Sequence, residues 1–151
     1  MEQIIQLNNQ AKLSEHFTLG EFTRSASHPE VYNIPSHEAI ANLKRLCVWL
    51  EVLRERSGGP VRINAGYRSP QLNRKIGGAA TSNHLTGCAV DIKVSGMEQA
   101  LRYAVILLDY SDESKQEFDE LLIEKNRYGA IWVHFAVRPS NNRRKVLFIN
   151  A

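Results

Sequence analysis

The sequence predicts an α+β fold in which an antiparallel sheet carries its helices on one face. Three observations predict it. The 151 residues are 43% hydrophobic and 23% charged, the balance of a chain that folds around a core rather than of a disordered one. Apolar residues recur with period two in some segments and at steps of three and four in others, so strands and helices are both present. The two classes neither alternate strictly nor segregate, and the late strand-like runs are joined by connections of hairpin length, which favours antiparallel pairing. A chain of this size buries roughly two-thirds of its unfolded surface. One domain over 1–151, with a core from about 13 to 150, is therefore expected.

In chain order, Leu13 to Phe22 is an irregular segment anchored by Phe17, Leu19 and Phe22. Ser36 follows a loop with Pro29 and Pro35 and reads as an N-cap. Ile40, Leu43, Cys47, Leu50 and Leu53 then mark one face of an amphipathic helix, stopped by Ser57-Gly58-Gly59-Pro60. Val61 to Ala65 alternates like a half-buried strand, broken by Gly66-Tyr67-Arg68-Ser69-Pro70, and a loop runs through Gly77-Gly78 to Ser82. Ala89 to Val94 is a strand. Ser95-Gly96-Met97-Glu98 has the spacing of a capping box and opens a helix with Leu101, Ala104, Val105 and Leu108 facing the core. Leu121 to Ile123 and Ile131 to Val137 form two strands around Arg127-Tyr128-Gly129, and Val146 to Ile149 is a last short one.

Composition excludes several classes. No apolar run approaches the ~20 residues of a bilayer span. The opening Met1-Glu2-Gln3-Ile4-Ile5-Gln6-Leu7-Asn8 lacks the basic-then-apolar pattern of a secretory signal, so the expected location is cytoplasmic until release. Cys47 and Cys88 make no disulfide framework and no C-x-x-C pair; Cys47 lies on the apolar helical stripe and packs there. The net charge is 19 − 16 = +3. The densest basic group, Arg138 with Arg143-Arg144-Lys145, reads as a solvated turn, and no aromatics interleave with basic residues as nucleic-acid binding requires. A monomer without a nucleic-acid partner is expected.

Two of the five histidines stand apart by their surroundings. His84 lies in a loop, seven residues before Asp91. Strand parity puts Cys88, Val90, Ile92 and Val94 on one face and Ala89, Asp91 and Lys93 on the other. In the later strand, Ile131, Val133, Phe135 and Val137 build the apolar face, so Trp132, His134 and Ala136 point away from it. Two imidazoles and a carboxylate suit a catalytic zinc site with a fourth position open to water. The competing reading is an Asp91–His134 hydrogen bond across the sheet with His84 exposed, and spacing does not choose between them.

The segments Arg62-Ile63-Asn64-Ala65-Gly66-Tyr67-Arg68-Ser69, Ser82-x-His84-x-x-Gly87-x-Ala89-x-Asp91 and Trp132-Val133-His134 resemble the zinc D-alanyl-D-alanine carboxypeptidase family, which shares its fold with the Hedgehog signalling domain. The opening Leu13 to Phe22 is similar to a phage-associated branch. The resemblance runs from about Leu13 to Val137. It implies Zn²⁺ held by His84, Asp91 and His134, with Arg68 beside the scissile carbonyl. Ser82, Trp132 and Tyr67 would line the substrate, and Ser82 would equally serve as a cap or a support of the metal ligands. The implied reaction is hydrolysis of peptide stems of bacterial peptidoglycan, by a carboxypeptidase or an endopeptidase of the endolysin type, in a phage lysis or prophage setting.

The chain departs from the family pattern where it matters for proton transfer. Relatives carry a glutamate three residues before the last histidine, or a histidine two before; here those places hold Ile131 and Trp132. Glu124 is the first candidate for the base, Glu120 the second and Asp119 the third. Cys88 stands where relatives often have a charge, and its parity assigns it to packing. The missing acid also supports an alternative from another class: a peptide- or protein-binding module of the same fold, with a structural metal or none.

Overall fold

The structure is a computed structural model and describes residues 9–25 and 27–150. The Met1–Asn8 stretch read above for targeting lies outside the described residues. In order, the elements are α1 (Leu19–Thr23), α2 (His37–Ser57), β1 (Ile63–Ala65), α3 (Pro70–Lys75), a 3₁₀ turn (Asn83–Thr86), β2 (Ala89–Lys93), α4 (Met97–Ser114), β3 (Glu120–Lys125), β4 (Ile131–Ala136) and β5 (Lys145–Asn150). No helix among the described residues is long and apolar enough to cross a membrane.

The five strands make one sheet in the order β1-β2-β4-β3-β5. The first three pairings are antiparallel, but β5 runs parallel to β3, with Lys145 opposite Glu120. The sheet is thus mixed rather than wholly antiparallel. The short link from β4 to β5 does reverse the chain, as its length implies. What the sequence hides is that β3 lies between the two: residues 137–144 cross its start, where Arg144 N–H donates to the Phe118 carbonyl and Lys145 N–H to that of Asp119. β5 is an exposed edge, with Phe148 68% accessible.

Strand parity behaves as expected. Val90, Ile92, Leu121, Ile123, Val133 and Phe135 join one core cluster with α2 and α4, and Phe17, Leu19 and Phe22 belong to it too. On α2, the Ser36 hydroxyl accepts from Ala39 N–H at 3.1 Å, and Gly58 closes the helix at φ +78°, a conformation a Cβ would oppose. Its largest core residue, Trp49, stacks edge-on to Tyr110 and against Phe135. Cys47 and Cys88 are both buried and free.

Three local expectations are corrected. Helix α4 buries Ala100, Tyr103, Ala104 and Leu107 and leaves Leu101 and Val105 exposed. The two stripes differ by a single step of ~100°, and the small alanines admit the closer approach. Its cap is Gly96 without a side-chain bond; Gln99 accepts from Ser95 N–H instead, and Glu98 pairs with Arg102. The stretch after Gly66 holds the unforeseen α3, whose signal was Ser69-Pro70: the serine caps Leu72 N–H and proline occupies the first turn.

Arg143, Arg144 and Lys145 are exposed as expected, but the arginines also make specific bonds. Arg143 grips Asp119, and Arg144 bonds Asp112 and Ser111 at 2.8 Å each and lies over the Phe118 ring. Lys145 reaches the edge of the site cleft.

Candidate active site

The face of the sheet away from the helices forms the floor of a cleft of about 490 Å³. Across that floor, β2, β4 and β3 place Asp91, His134 and Leu122 in one row. On one side of it lie Ala136 opposite Glu120, and on the other Trp132 opposite Glu124. The 3₁₀ turn brings in His84 from above.

His84 is 1% exposed. Its Nδ1 lies 2.6 Å from the Gly66 carbonyl, and a carbonyl only accepts, so Nδ1 carries the proton and Nε2 is left bare as a donor for a metal. The turn itself is fixed at both ends: the Ser82 hydroxyl accepts from His84 N–H at 3.1 Å, and Arg68 N–H donates to the His84 carbonyl at 2.9 Å. Gly66 and Gly87 permit this packing. A Cβ on Gly66 would sit 2.7 Å from the Phe22 carbonyl oxygen, and one on Gly87 2.5 Å from that of Ala39.

Asp91 Oδ1 lies 3.4 Å from His84 Nε2 and 3.1 Å from His134 Nδ1. Zinc bonds of about 2.0–2.2 Å in a tetrahedron set donor separations of roughly 3.3–3.5 Å. The 3.4 Å separation matches such an edge and the 3.1 Å one is slightly shorter. One ligand atom from each of the three residues lies within 4.8 Å of the others, close enough to share one ion. Among the described residues, the metal-competent group comprises only these three side chains; Cys88, though buried, is not part of it.

The electrostatics agree. Burial alone would raise the Asp91 carboxyl, but the neighbouring imidazoles outweigh it and hold it well below the usual carboxylate range. Burial would lower His134, yet Asp91 and Glu120 raise it to about 9. The cluster thus stabilises positive charge at its centre, the property a divalent ion would use.

The other expected residues separate. Arg68 reaches the cleft with its Nε buried and, among the described residues, unpartnered, and burial lowers its pKa despite Asp91 and Glu124 nearby. Its NH2 donates to Ser82 over a long 3.4 Å. Trp132 lines the cleft beside Glu124. Tyr67 does not: it is 8% exposed and packed in the core cluster. Tyr67 N–H donates to Phe22 O, and its carbonyl accepts from Asn33.

The three acids also part company. Glu124 lines the cleft, and burial raises its pKa above the ordinary carboxylate value. Glu120 is committed to protein partners: His134 Nε2 lies 2.8 Å from its Oε1, and Asn83 donates to the same oxygen at 2.9 Å. Asp119 is fully buried and accepts from Arg143 and Asn83. Asn83, Arg138 and Arg143 were not foreseen. The available signal was Asp119 itself, an acid at the same parity as Leu121 and Ile123, where a buried carboxylate demands donors.

Fold and donor set define the class: an α+β protein whose sheet presents a cleft with a His–Asp–His group able to hold a metal ion. The family follows from comparison with known proteins. A family model described as Peptidase M15 matches residues 15–119, well over half of the chain, and the chain belongs to that family. The zinc D-Ala-D-Ala carboxypeptidase of Streptomyces albus G is 31% identical over 91 residues, covering 60% of this chain and 36% of that protein. The chain therefore spans about a third of that relative's length. His84 and Asp91 fall inside the family match; His134, Glu120 and Glu124 lie beyond it, and the geometry ties them to the site.

Proposed function

We propose that the protein is a zinc-dependent peptidase acting on the peptide stems of bacterial peptidoglycan. The observation that carries this reading is the convergence of His84, Asp91 and His134, with Asp91 Oδ1 3.4 Å from His84 Nε2 and 3.1 Å from His134 Nδ1, in a cleft shared with Glu124. Membership of the M15 peptidases and the likeness to a zinc D-Ala-D-Ala carboxypeptidase support the chemistry and the substrate class.

When bound at such a site, zinc supplies Lewis-acid polarisation of a carbonyl and acidifies a water. The chain's own residues do the rest. Glu124, whose carboxylate burial makes more basic, takes the proton of the attacking water and passes it to the leaving amine. It fills the place left by Ile131 and Trp132, from the neighbouring strand. Arg68, whose Nε has no partner among the described residues, steadies the oxyanion that develops on the carbonyl. Ser82 holds both the His84 turn and the Arg68 fork. The finer reading, a phage or prophage setting, rests on the resemblance of Leu13 to Phe22, and carboxypeptidase and endopeptidase action are both compatible with it.

The test is mass spectrometry of muropeptides incubated with the zinc-loaded protein. New amino termini are expected, and the mass of the released fragment separates loss of a terminal residue from internal cleavage. Intact muropeptides in the presence of stoichiometric zinc would replace the peptidase with a peptide-binding module.

A further inference from the structure

We infer that Glu120 is a positioning residue for the metal centre: its carboxylate locks His134 with Nδ1 toward the ion and ties that histidine to the turn carrying His84. The inference rests on the metal-centre reading above and assigns roles to side chains beyond it.

The geometry is specific. His134 has one ring nitrogen at Asp91 Oδ1 and the other, Nε2, 2.8 Å from Glu120 Oε1. Both ring nitrogens face carboxylates, and a carboxylate only accepts. When an ion takes the place of a proton between Nδ1 and Asp91, Glu120 still holds the proton on Nε2, so Nδ1 is the nitrogen that ligates. Glu120 can reach because Ala136, its direct cross-strand partner, has no bulk, which leaves a diagonal path to His134 two residues earlier. The same Oε1 accepts from Asn83 Nδ2 at 2.9 Å, and Asn83 immediately precedes His84. One oxygen atom thus joins two ligand-bearing segments that are 50 residues apart (134 − 84) along the chain.

Glu120 is itself held from behind. Arg143 contacts Glu120 Oε2 at 3.3 Å while its fork grips Asp119 at 3.0 and 2.8 Å. Asp119 also accepts from Asn83 at 2.8 Å, and Arg138 Nε donates to Asn83 Oδ1 at 3.0 Å. The cross-over segment between β4 and β5 therefore supplies the two arginines that brace the carboxylate behind His134. Glu120 lines the same cleft, but its carboxylate is bonded to the His134 nitrogen opposite Asp91.

The experiment measures zinc affinity of the full chain by chelator competition, together with nitrogen-15 spectra of the histidine rings in the zinc-loaded protein. Glu120→Ala should weaken zinc by about 10–100-fold and expose the His134 Nε2 proton to rapid exchange. Glu120→Gln, whose amide oxygen still accepts, should restore affinity to within about threefold and keep that proton protected, a rescue that loss of bulk stability alone would not give. Arg143→Gln should weaken zinc in the same direction, by less. Equal affinity of wild type and Glu120→Ala, or ligation of His134 through Nε2, would overturn the inference while leaving the metal centre standing. A wild type that binds no zinc overturns both.

Discussion

Asp91 and His134 face each other directly across the β2–β4 ladder, with Oδ1 3.1 Å from Nδ1. Because this pair belongs to the sheet itself, two donors are fixed by backbone hydrogen bonds before any ion arrives, and only His84 depends on a loop. Asp91→Asn should therefore keep the fold while removing the anionic donor, and His84→Ala should remove the donor supplied by the turn. Both variants are expected to lose stoichiometric zinc, read by metal analysis after gel filtration, and with it muropeptide hydrolysis.

Glu124 and Arg68 should separate metal binding from turnover. Glu124→Gln is expected to retain zinc and lower kcat by about 10²–10⁴-fold, the range for loss of a general base. Arg68→Ala should cost about 10²–10³-fold, the range for one oxyanion donor. Both line the cleft without belonging to the His84–Asp91–His134 group, so zinc content measured on the same samples should stay at one equivalent. Loss of metal in Glu124→Gln would contradict its assignment as base.

Acid stability should report on Asp119. Burial by itself would raise this carboxyl, but bonds from Arg143 and Asn83 and the charge of Arg138 outweigh it and hold it down at about 2, below the usual ~3.9. A lowered acid stabilises the fold above its ordinary pKa, and that contribution fades as pH falls from about 4 towards 2. The span corresponds to a contribution on the order of 2 kcal/mol. Asp119→Asn should thus be less stable than wild type at neutral pH in urea titration, with the gap closing near pH ~2. A gap independent of pH would mean that shape, not charge, is what Asp119 contributes.

The thiols should be inert until the chain unfolds. Burial pushes Cys47 up to about 12 and raises Cys88 as well, and the nucleophile is the thiolate. Ellman's reagent should label neither in the native protein and both in guanidinium. Cys88→Ala should keep its zinc, since the thiol is not in the His84–Asp91–His134 group.

Gly66 links the fold to the site. Its carbonyl accepts from His84 Nδ1, and a Cβ there would meet the Phe22 backbone at 2.7 Å. Gly66→Ala should lower Tm and weaken zinc together, checked by calorimetry and chelator competition, whereas Gly59→Ala, with open space around it, should change neither.

Local rules made much of this molecule legible in its residues. Period-two alternation alone put Asp91 and His134 on the polar face and Val90, Ile92, Val133 and Phe135 in the core, because side chains on a strand must alternate. The cap at Ser36 and the stop at Gly58 likewise obey the chemistry of a single helix end. The face of α4 was less legible, since two apolar stripes one step apart satisfy the same period and only the approach of the sheet chooses between them.

Other features depended on which strands lie side by side, and no short segment carries that information. Register between β3 and β4 decides that Glu124 stands opposite Trp132 while Glu120, opposite Ala136, bonds His134, so two acids of equal parity in one cleft take different parts. The insertion of β3 between β4 and β5 turns a run of arginines that reads as solvated into the brace of a buried carboxylate. Parity is set residue by residue through bond geometry, whereas pairing is set by the closure of long loops around a shared core. The first can be read from the chain, and the second exists only once it has folded.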